Sequence, residues 1–115
     1  AATKAAVVSL SASVNAESPR GVRVHALCPD GVDTAMLAAQ DPDGMGSQLT
    51  WSGGAILGVA EVAAAAVDLV GSRRVVRTVP AWRGGVARSA ALAPGALQHA
   101  ARLFAAQGRR AMKRR

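Results

Sequence analysis

The chain has 115 residues, one small domain's worth, half of them apolar, and its lone Cys28 excludes an internal disulfide or a multi-cysteine metal site. No apolar run approaches the roughly 20 residues that span a bilayer, and no secretory leader pattern is visible, so a reducing, cytoplasmic setting is the expectation. The net charge of +7 is uneven: through Asp68 three basic residues meet all seven acids, and from Leu69 onward eleven basic residues meet none.

Residues from Ala1 to about Ala16 are good helix formers, with Val7, Leu10 and Val14 spaced to share one face, and the run stops before Ser18-Pro19-Arg20-Gly21. No capping residue or polar leader precedes it, so the start reads as cut into a longer segment. Val22–Cys28 alternates at first and then turns apolar, which predicts a strand entering a covered sheet and ending at Pro29. Helix, tight turn and apolar strand in that order form the returning half of a βαβ crossover, which favours a parallel sheet. In such sheets ligands gather beyond the carboxyl ends of strands, here the loop from Pro29 to Thr34.

The stretch from Asp41 to Gly54 is rich in Gly, Asp, Pro, Ser and Gln and is expected to be an irregular, lid-like loop. Val59–Val70 predicts a helix ended by Gly71-Ser72, and Arg74–Val79 a last strand before Pro80. Beyond Trp82 the Gly84-Gly85 pair predicts a break before a short alanine-rich helix. Pro94 suits the first turn of another helix reaching about Gln107, and Gly108–Arg115 is expected to fray. Alanine dominates the apolar set, and the aromatics are only Trp51, Trp82 and Phe104, so the core has little area per residue to bury.

Ala1-Ala2-Thr3-Lys4-Ala5-Ala6 resembles the tail of the Tyr-x-x-x-Lys motif of short-chain dehydrogenases/reductases, with Lys4 as its lysine. Gly21-Val22-Arg23-Val24 and then Pro29-Asp30-Gly31-Val32-Asp33-Thr34 resemble the same family's later strand and its Pro-Gly-x-Val-x-Thr cofactor loop. Order and spacing together carry the resemblance, since a single lysine on a helix is ordinarily just solvated. It implies an α/β fold, residues 1–82 being the C-terminal part of a Rossmann-like, doubly wound parallel sheet, with 83–115 a helical, basic C-terminal extension.

The resemblance further implies an NAD(P)-dependent oxidoreductase interconverting an alcohol and a carbonyl by hydride transfer, with NAD or NADP as cofactor. Lys4 would be catalytic, favouring tyrosinate and holding the nicotinamide ribose. Pro29, Gly31, Val32 and Thr34 would contact the cofactor, Val32 through its backbone and Thr34 through its hydroxyl. Met36, Leu37 and Trp51 are candidates for the substrate pocket, with structural packing as the alternative. Thr34 has a plainer role open to it as well, capping the next helix.

Asp30 departs from the pattern, standing where the family most often has glycine; a carboxylate there is unfavourable near phosphates unless it points away. His25 replaces a frequent asparagine and is read as a hydrogen-bonded strand residue. The glycine-rich phosphate loop, the catalytic serine and the tyrosine would all lie upstream of Ala1, so the chain by itself is expected to be inactive.

The family commonly pairs subunits through the helix carrying Tyr and Lys, which implies a homo-oligomer through the first helix. In the tail, Leu97, Ala101, Phe104 and Ala105 fall on one helical side with Arg102 elsewhere. A solvated extension is the plain reading, weak contact with an anionic membrane the second, and nucleic acid the last, since no aromatic interleaving accompanies the arginines. A non-catalytic interaction or membrane-peripheral module on the same fold is the competing function. An isolated chain of this kind is expected to aggregate or be partly molten, because strands without neighbours expose apolar edges.

Overall fold

In the computed structural model the chain runs α1 (Ala2–Glu17), β1 (Ala26–Pro29), α2 (Ala35–Ala38), α3 (Met45–Trp51), α4 (Val59–Val70), β2 (Val76–Val79), α5 (Ala81–Leu92) and α6 (Pro94–Met112). Residues 2–114 are described; Ala1, Arg115 and the side chains of Pro94, Ala96, Leu97 and Gln98 lie outside the description, so the expected placement of Leu97 does too.

Helix α1 ends where Pro19 restricts the residue before it, and Gly21, at φ 98°, turns the chain. The Val22 amide closes this turn by donating to the Pro19 carbonyl at 3.2 Å. Asn15 then ties helix to strand: its side chain donates to the Val24 carbonyl at 2.6 Å and accepts from the Val24 amide at 3.0 Å. This amide stands in for a neighbouring strand, which is why regular pairing begins at Ala26 rather than at the expected Val22.

Strands β1 and β2 pair in parallel, Ala26 opposite Val76 and Pro29 opposite Val79. The Ala26 amide donates to Val75 and the Asp30 amide to Val79, at 2.7 and 2.8 Å. A parallel pair needs a crossover, and α4 supplies it, burying Ala65 and Leu69, four residues apart, on the face turned to the strands. Arg77 of β2 donates to the Ala65 carbonyl at 3.0 Å and lies 3.6 Å from Asp68, pinning the helix over the sheet.

Three expectations are corrected, all of them about glycine-bearing segments. The stretch 41–54 is not wholly irregular, because α3 forms within it: Gln48 donates to the Asp43 carbonyl at 3.0 Å, and α6 packs along the helix. The Gly84-Gly85 pair does not interrupt α5, since Gly84 is the residue that lets the helix lie against Thr78; a Cβ there would collide with that side chain. Helix α6 likewise continues through Gly108 to Met112 rather than fraying, because Gly108 sits against the Gln48 backbone where a Cβ has no room. Arg109 donates to Gln48 Oε1 at 2.7 Å and Ser47 Oγ reaches Met112 Sδ at 3.9 Å, so tertiary contact overrides the local breaking tendency.

The architecture is thus mixed α/β, mostly helical, with two parallel strands among the described residues. A doubly wound sheet needs more strands than these two. No helix among the described residues is long and apolar enough to cross a membrane.

Candidate functional site

The loop leaving β1 lies beyond the carboxyl end of the parallel pair, and it is shaped by a third short pairing. Val32 and Leu57 form a parallel bridge, with Leu57 N–H donating to the Gly31 carbonyl at 2.8 Å and Asp33 N–H to the Leu57 carbonyl at 3.0 Å. Such a bridge uses the groups on either side of Val32, and no hydrogen bond among the described residues uses the Val32 amide itself.

Gly31 is buried in this loop, and a Cβ there would run into the side chains of Thr50 and Ile56. Glycine is required by packing rather than by backbone angle. Thr34 has extended angles, φ −143° and ψ 161°, and caps α2: its hydroxyl accepts from the Leu37 amide at 3.4 Å and donates to the Val32 carbonyl at 3.3 Å. Its plainer role is therefore real, and the residue is also among those that line the adjoining cavity.

That cavity, about 290 Å³, is lined by Pro29, Gly31, Val32, Thr34, Met36 and Leu37, together with Asp30, Gln40 and Thr50. Six of the eight residues singled out in the sequence thus converge on one wall, although Met36 remains 80% exposed. Lys4 is exposed on α1 and is not part of that wall, and Trp51 lines a different cleft, between α3 and α6.

Asp30 does what its position demands. Its carboxylate accepts from Arg83 Nε at 2.5 Å, with side-chain exposures of 15% for Asp30 and 17% for Arg83. The same guanidinium donates through Nη2 to the Leu49 carbonyl at 2.7 Å and to Ser52 Oγ at 3.2 Å. One cation from α5 therefore neutralises the loop carboxylate and fastens the loop to the end of α3. Arg83 also lies 5.0 Å from the Trp82 ring centroid, so its position is supported from its own helix.

His25 is the hydrogen-bonded residue expected of it, with Nδ1 2.7 Å from the Arg74 carbonyl. Arg83 was missed in the sequence because it lies far along the chain from Asp30. The available signal was the acid itself, since a carboxylate in a loop at a strand end needs a cation. Chemically, the residues lining the cavity include one with an unused amide, a threonine hydroxyl and a carboxylate already neutralised, a set suited to an uncharged polar group.

Comparison with protein-family models, with curated proteins and with solved structures gives no match.

Proposed function

We propose that this chain carries the lysine and cofactor-loop portion of a short-chain dehydrogenase/reductase, an NAD(P)-dependent oxidoreductase acting on an alcohol or carbonyl. The observation that carries the reading is the convergence of Pro29, Gly31, Val32 and Thr34 on one cavity at the carboxyl end of a parallel strand pair, with the Val32 amide unused.

The parallel strands would belong to a Rossmann-like, doubly wound sheet. A nicotinamide cofactor supplies the hydride chemistry when bound. Val32 would orient the carboxamide through its free N–H, Thr34 would add a hydroxyl contact, and Met36 and Leu37 would exclude water from the reacting face. The Asp30–Arg83 pair keeps the loop carboxylate from repelling phosphates.

Lys4 fits the reading by distance along the elements. From the Asn15–Val24 tie, Lys4 lies eleven residues back along α1, roughly 16 Å, and Pro29 lies five residues forward, also roughly 16 Å. A helix folded back along its strand would bring the ammonium level with the loop, where it would hold a ribose hydroxyl. The sequence has no tyrosine, so the proton-exchanging phenol would come from residues other than these 115, and the chain's own hydride transfer is expected to be nil.

The test is titration of NADH and NADPH into the isotopically labelled chain, followed by amide resonances. Saturable shifts at Gly31, Val32 and Thr34 are expected, with Lys4→Met weakening binding by about three- to tenfold for a lost charged hydrogen bond. Shifts that avoid this loop would count against the reading.

A second reading is a non-catalytic interaction module, and one observation favours it: Val7 and Leu10 are 57% and 62% exposed on the same side of α1. Self-association through that face would serve either function. Membrane contact by the tail is disfavoured by the packing of α6, whose Ala105 is buried and whose Phe104 is half-buried within the chain.

A further inference from the structure

We propose that the cleft between α3 and α6 binds a small organic anion with a flat apolar body, independently of the loop at 29–34. The cleft measures about 460 Å³, within the range of small-molecule sites, and its two walls differ in chemistry. One wall is Gln107, Arg110 and Ala111 on one face of α6 with Arg114 in the turn that follows the helix, its amide bonded to the Ala111 carbonyl at 3.2 Å. The other is Trp51 with Ile56 and the small residues Gly54 and Ala55.

Among the described residues no acid compensates the cationic wall. All seven acids precede Leu69, none lines the cleft, and the two ion pairs among the described residues are Arg77–Asp68 and Arg83–Asp30. The neighbouring Arg109 is occupied by Gln48, whereas among the described residues the side chains of Arg110 and Arg114 make no hydrogen bond. Interaction with the helix dipole accounts for basic residues near this C-terminus. It does not account for two guanidinium groups one turn apart, which repel each other, facing an aromatic side chain across a cleft. An anion shared between them removes that repulsion, and guanidinium geometry suits a carboxylate or a phosphate monoester.

The walls are preformed. Gly108 lies against the Gln48 backbone, and Arg109 and Met112 bond to Gln48 and Ser47, so the spacing of α3 and α6 is fixed without a ligand. Gly54, at φ 85°, and Ala55 carry almost no side chain, leaving room for a flat body beside Trp51 and Ile56.

Phenyl phosphate, benzoate and inorganic phosphate, titrated into the 115-residue chain at low and physiological salt, provide the test, with amide resonances of Gly54, Ala55 and Ala111 as the local readout. Saturable binding is expected for the two phenyl compounds, with phenyl phosphate about tenfold tighter than inorganic phosphate. The double variant Arg110→Gln/Arg114→Gln should lose about tenfold or more for every anion. Trp51→Leu should weaken only the phenyl compounds. Arg73→Gln/Arg102→Gln, which removes two exposed arginines outside the cleft, should change nothing beyond about twofold. Equal losses in that control, absence of saturation, or shifts confined to the 29–34 loop would overturn the proposal.

Discussion

Replacing Arg83 by Met should loosen the 29–34 loop without unfolding the rest. The substitution keeps the apolar stem but removes the charge, leaving the Asp30 carboxylate at 15% exposure without its cation and the Leu49 carbonyl and Ser52 hydroxyl without their donor. Breaking a fully buried pair costs about 3–5 kcal/mol and an exposed one about 0–1. With roughly a sixth of each side chain open to water, and two further acceptors stranded, about 2 kcal/mol of local stability should go. That is roughly a thirtyfold rise in opening, read as amide hydrogen exchange. The reporters are the Asp33 and Leu57 amides, whose hydrogen bonds define the Val32–Leu57 bridge, and the Asp30 amide bonded to Val79. Amides of α4 around Ala65 and Leu69 serve as the unchanged reference. The companion Asp30→Asn in the Arg83→Met background should recover about half of the loss, because no charge is then left buried alone. A change below about threefold at Asp33 and Leu57 would refute the idea that Arg83 holds the loop.

Two glycines should respond in opposite directions. Gly108→Ala drives a Cβ into the Gln48 backbone and should destabilise by about 1–3 kcal/mol, whereas Gly85→Ala, with open space around it in α5, should stabilise by about 0.5–1 kcal/mol; chemical denaturation distinguishes the signs. Asn15→Ala removes both bonds to Val24 and should cost about 1–2 kcal/mol, seen as faster exchange of the Val24 amide and release of α1 from the strand. Val7→Lys/Leu10→Lys should lower the sedimentation mass of any associated species while leaving far-ultraviolet helicity intact, and an unchanged mass would remove α1 as the association face.

The legible part of this chain was local. Val59–Val70 was readable to the residue because a run of helix formers ends at a glycine that caps it. The 29–34 loop was readable because Pro29 stops a strand and Thr34 caps a helix, two signals that need no distant partner. Glycine was misread wherever its cause lay elsewhere. Gly84 and Gly108 look like breaks in one dimension, yet each is small because another element touches it, Thr78 in one case and Gln48 in the other. Helix α3 was hidden for the same reason: Ser47, Gln48 and Ser52 look like loop residues but are buried and bonded against the neighbouring backbone or α6. Nor could a pattern of periods connect Arg83 with Asp30, since that bond depends on how β2 delivers α5 beside the loop.

The amount of surface left open bears on both proposed functions. A folded monomer of 11.6 kDa exposes about 5,800 Å² by the usual scaling, and this chain exposes 8210 Å², with a radius of gyration of 15.6 Å against about 13 Å for its length. Among the described residues the buried apolar ones are Ala26, Leu57, Ala65, Leu69 and Ala105, a core of small volume, while Val7, Leu10, Val67, Val70, Leu92 and Leu103 face outward. A surplus of about 2,400 Å² lies in the range that obligate interfaces bury. Its distribution matters more than its size. If a second copy pairing through α1 were the whole remedy, the open apolar surface would be confined to that helix. It also covers the outer side of α4, and the sheet edge is open too: the Ala26 and Asp30 amides point to β2, so in a parallel strand the groups of Leu27 point the other way. A neighbouring strand on the Leu27 side would cover that edge, and two-stranded sheets are marginal without such a neighbour. Association by helix pairing through α1 alone would therefore leave both the outer side of α4 and the Leu27 edge of β1 uncovered.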